Sequence, residues 1–165
     1  MQTKEIHQKY LKKTGLIALI TVLGMAPPLS TDMYMLSLPK MADYFGATAA
    51  LVNMTMVAFF ISMSAGMLIM GPLSDRSGRK KILMISLLLY IGASVFCVVT
   101  SSVYILILMR AIQGVGAGGM VSLSIAIIKD CFYGQARATA LAVVQSMSVV
   151  APIAAPVIGA LIIQV

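Results

Sequence analysis

The chain has 165 residues, 60% of them hydrophobic and 10% charged, with a formal net charge of +7 and a mean hydropathy of +0.99. That composition excludes an ordinary water-soluble domain. The positive charge does not describe a nucleic-acid surface either, because the cations cluster at the ends of long apolar runs.

A hydrocarbon core of about 30 Å needs about 20 apolar residues per helix. Five such stretches follow a basic tail at residues 1–13, at about 14–36, 47–73, 82–100, 103–128 and 138–165. The runs are unbroken, whereas membrane strands alternate in segments of about ten residues. The expected fold is therefore all-α, a polytopic transmembrane helix bundle in a lipid bilayer.

The first stretch faintly resembles a signal peptide, but its apolar region continues through Pro27 and Pro28 to Asp32 without a cleavage site, so retention as a first span is expected. The paired prolines predict a kink, Pro39 predicts the helix end, and residues 40–46 the first external loop. The second stretch carries Met54, Met56, Met63, Met67 and Met70. These are either a polarisable ligand lining or, more plainly, lipid-facing filler. Between it and the third stretch lies GPLSDRSGRKK (71–81), flanked by residues 44–74 and 82–109 that contain no charge. A short loop with a turn at each end and four central cations is a cytoplasmic connector by the positive-inside rule.

Residues 100–102 are short enough to force an antiparallel hairpin. The fourth stretch contains GVGAGG (114–119). No strand precedes it and it lies in an apolar span, so a phosphate-cradling role fails on context. Gly114 and Gly118 instead form a G-x-x-x-G face for close helix approach. Tyr10, Tyr44, Phe45, Tyr104, Phe132 and Tyr133 fall near span ends, as interfacial anchors do.

Ten of the twelve cations lie on alternate connections: Lys4, Lys9, Lys12 and Lys13; Arg76, Arg79, Lys80 and Lys81; Lys129 and Arg137. This places the N-terminus in the cytoplasm of a cell (plasma or inner) membrane protein. Cys97 is expected within the third span and Cys131 in a cytoplasmic loop. Neither these nor His7 has a metal-ligand partner at useful spacing, so no metal, cofactor or enzymatic role is expected.

Two charges remain inside spans, Asp32 and Arg110. Each lies seven residues from a predicted outer end, Pro39 and Val103 respectively, hence roughly 10 Å deep at 1.5 Å per residue. Equal depth makes a direct or water-bridged pair plausible. Competition between desolvation and a neighbouring cation leaves the protonation of such an acid sensitive to its surroundings. The alternative is a structural ion pair that orients helices. Gln113, three residues after Arg110, shares its face and is a secondary partner.

The 71–81 segment resembles the helix 2–helix 3 loop of the major facilitator superfamily. LSTDMYMLSLP (29–39), LILMRAIQGVG (106–116) and APIAAPVIGA (151–160) resemble the helix 1, helix 4 and helix 5 motifs of its bicyclomycin-resistance (Bcr/CflA) drug:proton antiporters. In the last motif, Pro156 and Gly159 are retained, while Ala151, Ala155 and Ala160 stand where the family form has glycines, which weakens it as a sign of antiport. The resemblance implies Asp32 as proton- or substrate-responsive acid and Arg110 as coupling base. It implies Gly71, Asp75, Gly78 and Arg79 as a cytoplasmic gate, with Arg79 paired to Asp130. It implies twelve helices in two bundles, of which this chain holds five: it is a piece of a longer protein or a truncated product, lacking helix 6 and the C-terminal bundle.

The expected function is proton-coupled efflux of small, drug-like amphipathic molecules by the complete transporter, with the isolated chain inactive. The alternatives are a sugar or metabolite facilitator of the same fold and a non-transporting membrane fragment.

Overall fold

The computed structural model describes the backbone of residues 13–163 and the side chains of residues 15–149. Five helices follow one another: α1 Lys13–Phe45, α2 Ala49–Ser77, α3 Arg79–Val99, α4 Val103–Cys131 and α5 Gly134–Ile163. The first four include stretches long and apolar enough to cross a membrane. α5 has 30 residues and carries no charged residue after Arg137. The fold class is the all-α transmembrane one expected. Lys4, His7, Lys9, Tyr10 and Lys12 lie outside the described residues, as do the side chains of Pro156, Gly159 and the rest of the 151–160 motif.

The helix ends differ from the sequence expectation in three places, the briefest being the α4–α5 link, where α4 runs on through Cys131, expected in a loop, and α5 starts at Gly134. Pro39 does not end α1, and Lys40 is helical. A proline removes only its own donor and one rung of the ladder. The chain stops where a residue can take the left-handed conformation, at Gly46 with φ +56°. There Ala47 N–H donates to Ala42 C=O at 3.0 Å and Gly46 N–H to Asp43 C=O at 3.2 Å, the paired bonds of a Schellman stop. Thr48 then caps α2, its hydroxyl accepting from Leu51 N–H at 3.3 Å.

The third difference is the 71–81 segment, read from sequence as a loop with two turns. Gly71, Pro72 and Ser77 are helical in α2, Arg79 opens α3, and Gly78 alone is non-helical. Gly78 has φ +92° and ψ 133°, a region that a side chain strains to occupy. One glycine replaces the two expected turns because its conformation alone reverses the chain.

Two compact units divide the chain: Met33–Leu123, and Met1–Asp32 with Ser124–Val165. In Met33–Leu123, α4 packs on α2 and α3 through glycines. A Cβ added at Gly114 or Gly118 would strike the backbone of Phe59 or Met63, and one at Gly66 would lie 2.6 Å from Val115 O. On another side, a Cβ at Gly116 would lie 2.7 Å from Ser86 O and 2.8 Å from Tyr90 N. Matching residues rise together along α2 and α4, which therefore run parallel. They move oppositely along α3 and α4, the hairpin that residues 100–102 enforce. The α2 methionines are mostly half-buried, only Met54 being exposed, and Met63 and Met67 lend backbone to the glycine face.

In the other unit, α1 gives Leu16 and Ile20 to one core and α5 gives Ala140 and Val144, while Ile128 of α4 is joined there by Phe132, the residue just past its end. Phe132 is thus a core residue, not an interfacial anchor; it has no polar tip to bring to a headgroup. Tyr44, Tyr104 and Tyr133 are exposed. Cys131 closes α4 and packs against this core, while Cys97 and Cys131 are both free thiols.

Three glycine-to-alanine variants separate the causes. Gly118→Ala should destabilise the chain by about 1–3 kcal/mol through overpacking, and Gly78→Ala by a similar amount through backbone strain. Gly71→Ala, with nothing within 4 Å of its Cβ position, should be neutral or gain about 0.5–1 kcal/mol from helix propensity. Unfolding in detergent measures all three; a destabilised Gly71→Ala would contradict the helical assignment there.

Candidate intramembrane polar site

In Met33–Leu123, Arg110 projects from α4 and is only 6% exposed. A cation enclosed inside an apolar span must find its partners within the protein. Its Cζ lies 3.4 Å from the centroid of the Tyr34 ring, a van der Waals distance for stacked planar groups and a favourable cation–π geometry. Its Nη1 donates to Gln113 Oε1 at 2.9 Å. Gln113, 3% exposed, donates through Nε2 to Ser94 Oγ at 2.7 Å on α3. Ser94 passes its proton to Tyr90 C=O at 2.7 Å.

A second relay starts from the aromatic seat. Tyr34 and Thr55 hydroxyls lie 2.8 Å apart, and Thr55 Oγ1 donates to Val52 C=O at 2.6 Å. Threonine has one hydroxyl proton; with it engaged on Val52, Tyr34 is the donor to Thr55. Both relays end on a helix carbonyl, whose second lone pair is available for such a bond. Arg110 Nε, although enclosed, has no hydrogen-bond partner.

Asp32 belongs to the other unit. It is half-buried, and its enclosed Oδ2 likewise has no hydrogen-bond partner. On α1 it precedes Tyr34 by two positions, about 200° around a regular helix, so the two side chains leave α1 on opposite faces. Beside it, Thr31 Oγ1 donates to Pro27 C=O at 2.8 Å.

At the α2–α3 junction, Arg79 Nη2 lies 2.6 Å from Asp75 Oδ1, and Nη1 donates to Ser74 Oγ at 2.6 Å. Ser74 is buried and donates onward to Gly71 C=O at 2.6 Å. Asp75 and Arg79 are thus brought together one turn apart across Gly78. Asp130 lies near the end of α4 in the other unit, and Tyr133 Oη donates to its carbonyl at 3.4 Å.

Of the residues singled out from sequence, Arg110 and Gln113 meet as expected, and Gly114 and Gly118 form the packing face. Tyr34, Thr55, Ser94 and Ser74 were missed. The available signal was a hydroxyl in an otherwise apolar span, at the depth of a charge on a neighbouring helix.

Residues 18–165 match the family model described as Major Facilitator Superfamily. The chain belongs to the major facilitator superfamily. Among its relatives, the uncharacterized MFS-type transporter YdgK of Bacillus subtilis (strain 168) is 34% identical over 152 residues, covering 92% of this chain and 38% of that protein. Multidrug resistance protein MdtL of Shewanella sp. (strain ANA-3) is 38% identical over 135 residues, 82% of this chain and 34% of the relative. MdtL of Escherichia coli (strain K12 / DH10B) is 34% identical over the same length and shares. The chain therefore spans between a third and two-fifths of the length of these superfamily relatives. Family and apolar helices together make it a multi-pass membrane protein.

Gln113→Leu keeps the volume and removes both ends of the relay. It should cost about 1–2 kcal/mol of stability, read by unfolding in lipid or detergent, and Ser94→Ala should add little to it. Fully additive losses would show that Gln113 and Ser94 do not act as one relay.

Proposed function

We propose that the complete transporter containing this chain is a Bcr/CflA-type exporter that exchanges protons for small amphipathic drugs, with Asp32 as the responsive acid and Arg110 as the coupling cation. The observation that carries this reading is a guanidinium enclosed in a membrane span with its Nε lacking a hydrogen-bond partner. An enclosed Asp32 oxygen in the same condition supports it, as does the similarity to proteins named for multidrug resistance. Proton arrival at Asp32 neutralises its carboxylate, and Arg110 is the fixed positive charge on which that change of charge acts. In the exchange, a proton and a drug would bind alternately, so that inward proton movement drives outward drug movement. Moving one charge through 100 mV supplies about 2.3 kcal/mol.

In this proposal the α2–α3 junction is the cytoplasmic gate. Arg79 is aimed by Asp75 and Ser74, and Asp130 is its partner in the closed state. The N-terminus is cytoplasmic, and the two-bundle arrangement with a path between halves requires helices beyond this chain.

Proteoliposome uptake of a fluorescent cationic dye under an imposed pH gradient tests the reading. Wild-type transporter should accumulate dye with the gradient. Asp32→Asn should lose the pH dependence at unchanged abundance. Wild-type-like pH dependence in Asp32→Asn removes the coupling role, and gradient-independent flux in the wild type favours a facilitator. Orientation is checked separately on a background with Cys97 and Cys131 replaced: an impermeant thiol reagent applied to intact cells should spare Ser77→Cys and modify Ala47→Cys. The reverse pattern would overturn the topology.

A further inference from the structure

Arg110 is fixed by two constraints of different kinds. Gln113 holds one terminal nitrogen at 2.9 Å, which sets a point. The Tyr34 ring beneath Cζ at 3.4 Å sets a plane. A hydrogen bond alone would leave the guanidinium free to rotate about it; a plane alone would leave it free to spin within that plane. Together they fix the direction of the Nε edge. Lysine could not replace this arrangement, since a tetrahedral ammonium has no plane to stack and no second edge to present.

The ring itself is held. Its hydroxyl donates to Thr55 Oγ1, which is fully buried and anchored on Val52 C=O. Tyr34 is 6% exposed, so its position is set by α2 as well as by α1. Phenylalanine would supply the same face but lose the tether.

We propose that Tyr34 is a positioning residue for Arg110: its ring, tethered to α2 through Thr55, seats the guanidinium and fixes the direction of its Nε edge. The seat is a statement about geometry and stands without any transport activity; its consequence for coupling rests on the proton-exchange proposal above.

Arginine-selective isotope labelling of the 165-residue chain in lipid nanodiscs reads the seat directly. The chain has four arginines, Arg76, Arg79, Arg110 and Arg137, and Arg110→Lys identifies the signal that belongs to Arg110. That Hε resonance should be displaced upfield of the other three by the ring beneath it. Tyr34→Phe should keep most of the displacement, and Tyr34→Leu should abolish it. An unchanged Arg110 signal in folded Tyr34→Leu overturns the seat. If Tyr34→Leu fails to fold, Thr55→Val decides: loss of the tether should reduce the displacement, and an unaltered signal refutes the tether.

In proteoliposomes, the complete transporter carrying Tyr34→Leu should lose roughly tenfold in pH-driven dye export and show a displaced pH profile at equal abundance. Tyr34→Phe should restore most of the activity. A wild type without pH-driven flux would sink the exchange reading and leave the labelling result to decide the seat. Normal wild-type flux with an unmoved pH profile in Tyr34→Leu would sink the positioning role.

Discussion

A guanidinium held inside an apolar span is the constraint on which the Met33–Leu123 unit depends. In hydrocarbon no water completes a broken hydrogen bond, so each polar atom near Arg110 needs a protein partner. The unit meets most of this demand with groups from every helix it contains, leaving Arg110 Nε without a hydrogen-bond partner. Tyr34 comes from α1, Thr55 from α2, Ser94 from α3, and Arg110 with Gln113 from α4. Thr55 and Ser94 each pass their proton to a carbonyl about one turn back on their own helix, and Tyr34 donates to Thr55. The relays therefore introduce no further polar group that would need satisfying in turn.

The glycines of α4 make these short side chains sufficient. Serine reaches only one bond beyond Cβ, so Ser94 can accept from Gln113 only if α3 and α4 lie unusually close. Gly116 and Gly119 allow that approach against Tyr90 and Ser86, and Gly114 and Gly118 do the same against α2. Packing and polar satisfaction are thus one design: the residues without side chains let the small polar ones meet.

Fold class and span order were legible in the sequence because they follow from length and hydropathy alone. Arg110 and Gln113 were legible too, since a charge in a span is rare and an i, i+3 neighbour shares its face. Helix ends were less so: Pro39 looked like a stop, yet the stop is set by the backbone conformation of Gly46, and the basic 71–81 segment concealed a helix that ends only at Gly78. Tyr34 and Thr55 could not be paired from sequence, because their 21-residue separation carries no local periodicity. Phe132 misled for a related reason: nearness to a span end fixes depth, whereas facing a core depends on which helix lies alongside.

The stretch of α4 from Gly114 to Gly119 has four glycines in six residues. Relative to alanine, each glycine disfavours helix by about 0.8–1 kcal/mol in water, roughly 3–4 kcal/mol for the stretch. Outside a bilayer this segment is a poor helix former, and water competes for every amide. α4 is thus a conditional helix, created by the lipid that removes the competing solvent and by the neighbours that lean on its bare backbone. Its order belongs to the final stage of assembly: the chain must enter the membrane before the segment that holds its central cation acquires a shape.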